Sequence, residues 1–176
     1  MGIDIYANWD GMTEAESDSQ STGFRIDQGH VGYLREAYHG GPYVTKYLLA
    51  EAFQSEDDTA EIPARVLRAR LPAAVLMSMY RQAKVYGNGD PPALRLDASS
   101  DSEVLRKELL RMVESMSDML HRDFARALTK QSLRTAARLI EARALPLVHQ
   151  SFVDFVDLCE RKERETGSPC RIIASY

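Results

Sequence analysis

The two ends of the chain carry the clearest secondary-structure pattern in the sequence. In residues 2–9, GIDIYANW, apolar and polar side chains alternate, which is typical of a half-buried β-strand. The side chains expected on one face are Ile3, Ile5, Ala7 and Trp9, and those on the other are Asp4, Tyr6 and Asn8. Residues 170–176, CRIIASY, alternate in the same way. We expect both terminal strands to lie in one sheet, although the sequence alone does not establish that they pair.

Most of the remaining chain has helical patterns. The longer expected helices span about 63–70, 72–86, 100–120, 131–144 and 146–166. Residues 43–53 could form a helix or a strand, of which we favour a short helix, and a second short strand could lie within 23–27. These elements predict an α+β fold, in which a small sheet that includes the N- and C-terminal strands is covered by four to five helices. We expect residues 1–176 to form a single globular domain.

The segment 29–43, GHVGYLREAYHGGPY, concentrates glycines, tyrosines and histidines. Three of its side chains are spaced as on one face of a short helix: Val31, Leu34 and Tyr38. Gly40 would end this helix in the left-handed conformation, and Pro42 would begin the next element. The glycines and the proline therefore have predicted structural roles, and the tyrosines and histidines could be presented by the turn.

Charge is divided unequally along the chain. The first 60 residues hold 11 acidic and 3 basic side chains, a net charge of −8, whereas the rest hold 15 acidic and 19 basic ones, a net charge of +4. Such a division can orient a protein on a partner or hold its own halves together. The total of −4 has the wrong sign for a general nucleic-acid binder. No apolar run reaches the ~20 residues that cross a bilayer, so we expect no membrane partner and a cytoplasmic location.

Asp4, His30 and His39 are candidate catalytic or metal-binding side chains. Two histidines and a carboxylate can hold a metal ion, and such polar groups can also transfer protons. If the intervening residues were helical, however, the histidines would lie about 13 Å apart along the axis, which is too far for one ion. No phosphate-binding loop, dinucleotide fingerprint or GxSxG motif is present. We expect no cofactor, no bound metal and no catalytic residues, and a small metal-dependent or acid/base enzyme is retained as an alternative.

The two cysteines, Cys159 and Cys170, do not have the spacing of a zinc site. We expect both to be reduced thiols that pack as small apolar residues.

The most regular charged feature is a basic residue at every fourth position in the series Arg122, Arg126, Lys130, Arg134 and Arg138. On one helix this series would drift by about 40° at each step. It could bind phosphates, bind an acidic protein surface, pair with the acidic first third of the chain, or form a solvated face. Few aromatic residues lie between the basic ones, which disfavours nucleic acid, although a nucleic-acid-binding module remains an alternative.

Three stretches, MGIDIYANW, GHVGYLREAYHGGPY and ETGSPCRIIASY, together resemble a set of small, mostly uncharacterised bacteriophage and prophage proteins that open with Met-Gly-(Ile/Leu/Cys)-Asp-(Ile/Met). The resemblance covers only the two ends and the segment 29–43, and it transfers no catalytic residues. It implies a phage-derived protein that acts inside a bacterial cell, where small phage proteins often bind host proteins, including defence complexes.

These observations favour a non-enzymatic protein that binds a host protein or complex. Tyrosines supply stiff, amphipathic contact area, so the first predicted contact set is Tyr33, Tyr38, His39 and Tyr43. The alternative contact face consists of Arg126, Arg134 and Arg138. The sequence does not determine the identity of the partner or the oligomeric state.

Overall fold

The computed structural model describes residues 2–21, 25, 27–37, 41–86, 124 and 126–176. The strands are β1 (Gly2–Asn8), β2 (Tyr33–Ala37), β3 (Thr59–Glu61) and β4 (Arg171–Ser175). The α-helices in these ranges are α1 (Glu14–Ser21), α2 (Val44–Leu48), α3 (Ala64–Tyr86), α4 (Lys130–Glu141) and α5 (Leu147–Thr166). Two short 3₁₀ helices span Gly29–Val31 and Ala52–Gln54. The protein is therefore α+β, as predicted.

The four strands form one antiparallel sheet in the order β2-β1-β4-β3. The two terminal strands are its central pair, with Ile5 opposite Ala174, so the expectation that they share a sheet is confirmed. The side chains on the buried face include Ile3, Ile5, Ala7, Leu34, Ile172 and Ala174. Burial of one such large aliphatic side chain contributes about 1.5–3 kcal/mol, which explains why the alternating pattern predicted the two terminal strands correctly.

The described residues group into two compact units. The first comprises Met1–Tyr38, Thr45–Leu71 and Ser151–Tyr176, and it contains the whole sheet. The second comprises His39–Val44 and Pro72–Gln150, and it contains α4. Within the first unit, Arg68 on α3 ties that helix to α5, because its guanidinium donates to both Asp157 and Glu160 at 2.6 Å.

A short helix was predicted from residue 31 onwards, and for residues 33–37 this prediction is wrong. The 3₁₀ turn at 29–31 ends at Gly32, whose φ of +87° is a conformation that glycine adopts readily. The chain then enters β2, where Tyr33 pairs with Tyr6 and Arg35 pairs with Asp4 on β1. Hydrogen bonding to a distant strand and burial of Leu34 outweigh the local helical spacing.

Residues 63–70 and 72–86 were predicted to form two helices, but they form the single helix α3. Pro72 lies inside it, where a proline removes one backbone hydrogen bond. The apolar side chains on both sides of this proline are buried: Leu67, Leu71, Ala74 and Val75. We infer that their burial offsets the missing hydrogen bond, so that the helix continues.

The other described helices agree with the sequence. The helix expected at 131–144 is α4, the helix expected after Pro146 is α5, and the short helix expected within 43–53 is α2. Gly167, with a φ of +79°, follows α5 as predicted. The helix predicted at 100–120 and most of the strand predicted at 23–27 lie outside the described residues. None of the described helices is long and apolar enough to cross a membrane.

The first testable constraint is the close approach of Gly29 to α5. A Cβ atom at this position would lie 1.8 Å from the carbonyl oxygen of Ser151. This oxygen belongs to the backbone of α5, which cannot shift without a large cost in free energy. We expect Gly29→Ala to lower the free energy of unfolding by about 3 kcal/mol or more, measured by chemical denaturation. Gly11→Ala is the control. Gly11 has open space around it, so its φ of +74° is the one expected source of strain. The free energy of unfolding of this variant should fall by only about 1 kcal/mol. Equal losses in the two variants would contradict the steric explanation.

The second constraint is an ion pair between Arg70 on α3 and Glu51. The guanidinium donates to both carboxylate oxygens, at 2.6 and 2.7 Å, and this interaction lowers the pKa of Glu51 despite partial burial. A carboxyl group whose pKa is lowered on folding stabilises the protein above its ordinary pKa of about 4.3 and loses this effect as the pH falls through the folded value.

We therefore expect Glu51→Gln to cost about 1 kcal/mol at neutral pH, and the cost to disappear on acidification below about pH 4. The measurement is chemical denaturation of wild type and variant across this range. Glu56→Gln, at an exposed position, should have no comparable effect. A cost that is independent of pH would show that the carboxylate charge is not responsible.

Candidate binding surface

Helix α4 is built as an amphipathic helix with a firmly capped start. Oγ1 of Thr129 accepts the N–H of Ser132, and Oγ of Ser132 accepts the N–H of Thr129, both at 3.1 Å. This capping box satisfies two backbone donors that a helix start otherwise leaves without partners. The buried side of the helix carries Ser132, Thr135, Ala136 and Ile140. The opposite side is thereby left to solvent.

Three basic side chains, Lys130, Arg134 and Arg138, are exposed on α4 and form what we call the α4 basic face. Together with Gln131 and Ala137 they line an open groove of about 680 Å³. Arg126 is also exposed, just before α4, whereas Arg122 lies outside the described residues. The structure therefore brings two of the predicted contact residues, Arg134 and Arg138, to one groove.

No described carboxylate lies within ion-pairing distance of Lys130 or Arg134. Arginines elsewhere are paired, since Arg35 contacts Asp4 at 3.2 Å and Arg70 contacts Glu51 at 2.6 Å. An anionic group that enters the groove would therefore meet the ammonium of Lys130 and the guanidinium of Arg134.

Tyr33, which was predicted to be a contact residue, is fully buried. Its hydroxyl donates to Oδ1 of Asp4 at 2.5 Å, and its ring packs against that of Tyr6 with 5.3 Å between centroids. Burial, and then the hydrogen bond to Asp4, raise the pKa of Tyr33 well above its usual value. The residue thus stabilises the β1–β2 pair and offers no exposed contact area.

The other residues of that predicted contact set are placed differently. Tyr43 is half-buried, and the guanidinium carbon of Arg81 lies 4.9 Å from its ring centroid, which is a cation–π contact. Burial lowers the pKa of Arg81 to about 10. Tyr38 and His39 lie outside the described residues, so their role as contacts stays a prediction.

The enzyme alternative used Asp4, His30 and His39. The carboxylate of Asp4 is engaged by Tyr33 and Arg35, His30 is exposed in the 3₁₀ turn, and His39 lies outside the described residues. Among the residues that can be described, no three His, Cys, Asp or Glu side chains are arranged to hold a metal ion. Whether the three side chains come together stays a prediction, because His39 is not among the described residues.

Sequence reasoning missed a buried pair in the second unit. Oγ of Ser78 on α3 and Nδ1 of His149 on α5 are joined by a hydrogen bond of 2.7 Å. A serine within reach of an imidazole is also the arrangement of a nucleophile and its base. Here Ser78 is only 7% exposed and His149 is not exposed at all, so the pair fastens two helices. Nothing in the sequence signals this contact, because the two residues are 71 positions apart.

No protein-family model, curated protein or solved structure matches the chain. The assignment of a site therefore depends on the geometry and charge of its own side chains.

The Ser78–His149 hydrogen bond can be tested through stability. We expect Ser78→Ala to lower the free energy of unfolding by about 1–3 kcal/mol, because it removes a hydrogen bond from a buried imidazole. Chemical denaturation is the measurement, and Ser17→Ala, at an exposed position on α1, is the control that should change little. A Ser78→Ala variant as stable as wild type would mean that the hydrogen bond contributes nothing to the packing of the two helices.

Proposed function

We propose that the protein functions by binding another protein, and that the α4 basic face contacts an acidic surface of that partner. The observation that supports this proposal is the exposure of three cations, one helical turn apart, around one groove. Binding without catalysis is the simplest use of such a surface, since it requires only complementary charge and shape.

The spacing of the α4 basic face suits a row of carboxylates. Residues four apart on a helix rise by about 6 Å, so the row from Lys130 to Arg138 extends about 12 Å. Guanidinium groups pair with carboxylates through two parallel hydrogen bonds, which gives the contact direction as well as strength. Gln131 adds an amide, and the small side chain of Ala137 allows close approach between the cations.

Nucleic acid is the less favoured partner for the same face. Among the described residues that line the groove, none is an aromatic residue on which a base could stack. The acidic first 60 residues, with a net charge of −8, would also weaken long-range attraction to a polyanion. A partner protein with a local acidic patch is less affected by this repulsion, because its remaining surface is not uniformly negative.

The biological setting is part of the same proposal. The resemblance of the chain ends and of residues 29–43 to small phage and prophage proteins supports a phage-derived protein whose partner is a host protein or a host defence complex. Exposed basic side chains on a rigid helix provide a contact surface that such a protein could use.

The proposal predicts a charge-dependent contact. The probe is a fluorescein-labelled helical peptide with glutamate at every fourth position, measured by fluorescence anisotropy. We expect Arg134→Glu combined with Arg138→Glu to weaken binding about tenfold or more, since two attractive contacts become repulsive. Arg65→Glu combined with Arg161→Glu is the matched control, because both residues are exposed but lie on α3 and α5.

The same variants then serve as baits in bacterial lysate treated with nuclease. A partner captured by wild type and by the control, but not by the α4 variant, is the expected result. Equal peptide binding by both double variants would contradict the assignment to α4. Tighter binding to a labelled DNA duplex than to the peptide, with a steep dependence on salt, would favour the nucleic-acid alternative instead.

A further inference from the structure

Helix α4 is followed by the α4–α5 turn (residues 142–146), in which an arginine takes a position that glycine usually occupies. The N–H of Arg143 donates to the carbonyl of Ile140 at 3.1 Å, and the N–H of Ala144 donates to the carbonyl of Leu139 at 3.0 Å. Many helices end with this pair of hydrogen bonds, and the left-handed residue between them is usually glycine. Here that residue is Arg143, with a φ of 53°. The end of α4 is therefore ordered, and its left-handed residue carries a charge.

The left-handed conformation is unfavourable for arginine, because the Cβ atom then lies too close to the following carbonyl oxygen. Among the described residues other than glycine, Asp58 also has a φ of 53°. Aspartate is enriched in this conformation, and the carboxylate of Asp58 accepts a hydrogen bond from Tyr176 at 2.9 Å. Residue type thus accounts for Asp58 but not for Arg143, which is exposed. Strained backbone of this kind is concentrated at sites that contact ligands, which makes Arg143 a candidate contact residue.

A large apolar side chain is exposed directly after this turn. Leu147, the first residue of α5, is 72% exposed, whereas Leu145 before it is buried. The start of α5 is ordered, because the N–H groups of His149 and Gln150 both donate to the carbonyl of Pro146 at 2.9 Å. The helix itself does not require leucine here, since alanine has the higher helix propensity. The exposed apolar area of Leu147 is therefore held in a fixed place where a partner can reach it.

Chain geometry places both residues beside the C-terminal end of the α4 basic face, within the second unit. Arg138 and Arg143 are separated by about four helical steps of ~1.5 Å and one step of ~3.8 Å, so their Cα atoms lie within about 10 Å. Leu147 is four residues farther on, within about 14 Å of Arg143. The exposed Glu141 lies between the two arginines in the sequence, so Arg143 keeps this end of the face net positive.

We propose that the partner presents an acidic helix with an apolar side chain next to its carboxylates, and that the α4–α5 turn completes the surface that binds it. Arg143 pairs with a carboxylate, and Leu147 packs against the apolar side chain. The role of the turn rests on the binding function proposed above for the α4 basic face, and it defines the class of partner that the face selects. Charge alone would accept many acidic surfaces, whereas an adjacent apolar contact discriminates among them.

The spacing of the charges favours a helical partner. The cations of the α4 basic face follow one another at about 6 Å along the helix axis, and carboxylates at every fourth position of a second helix have the same rise. Two helices that lie side by side can therefore match several charges at once. Burial of an apolar side chain against Leu147 adds a contact that salt does not screen, unlike the exposed ion pairs.

The test compares two fluorescein-labelled helical peptides by fluorescence anisotropy, with the intact chain as receptor. Both peptides have glutamate at every fourth position. One has leucine one turn beyond the last glutamate at each end, and the other has serine at these places. We expect wild type to bind the leucine peptide about tenfold more tightly, and Leu147→Ala to remove this preference. Tyr176→Ala is the control that should keep it, because Tyr176 is 62% exposed but belongs to the first unit.

Arg143→Gly separates the charge of the turn from its conformation. We expect this variant to bind both peptides about threefold more weakly, because one exposed charge is lost. Its midpoint of thermal unfolding should nevertheless rise by about 2–4 °C, because glycine adopts the left-handed conformation readily. Arg143→Lys keeps the charge in the same conformation and should bind both peptides within about twofold of wild type.

The outcomes distinguish the role of the turn from that of the α4 basic face. If Arg134→Glu combined with Arg138→Glu abolishes binding while Leu147→Ala and Arg143→Gly change nothing, the face binds as proposed and the turn takes no part. Equal binding of the two peptides by wild type would likewise overturn the apolar contact. If the double variant also binds like wild type, the proposed function is wrong, and the role of the turn is overturned with it.

Discussion

The structure depends first on the antiparallel pairing of β1 with β4, which joins the two ends of the chain. These strands are the centre of the sheet, so β2 and β3 can lie in one sheet only after the ends have met. The entropic cost of closing so long a loop rises only slowly with its length. It is opposed by backbone hydrogen bonds and by the burial of Ile3, Ile5, Ile172 and their neighbours. The remainder of the first unit is arranged around this non-local contact.

Helix α5 is the second element that stabilises the first unit. Its backbone at Ser151 leaves room only for glycine at position 29. Farther along, Asp157 and Glu160 receive the guanidinium of Arg68, and the ammonium of Lys162 contacts Glu16 at 3.1 Å and lies 4.7 Å from the ring centroid of Trp9. The helix then leads directly into the turn at Gly167, after which the chain enters β4. One helix thus combines steric, ionic and cation–π contacts with the rest of the first unit.

Some of the side chains that the sequence suggested for binding or catalysis have structural roles instead. The Asp4 carboxylate on β1 accepts hydrogen bonds from Tyr33 and Arg35 on β2. Fewer of their polar groups are therefore left for contacts with a partner. The arginines of α4 are exposed instead. Their helix buries its small and apolar side chains, and the regular four-residue spacing of the cations then leaves them together in solvent. A proposed binding role therefore moves from the tyrosine-rich segment to the α4 basic face.

Several features were determined by the sequence itself, because a local pattern of side chains is enough to indicate them. Alternation at residues 2–8 and 171–175 predicted both terminal strands, and Pro146 and Gly167 predicted the bounds of α5. The regular spacing of Arg134 and Arg138 likewise predicted that they share a helical face. Tertiary structure decided the features whose energy comes from distant partners. Residues 33–37 became a strand because β1 was available for pairing, and α3 continued through Pro72 because its flanking side chains are buried. The contact of Ser78 with His149 belongs to the same group, since only the folded backbone brings these atoms within hydrogen-bonding distance.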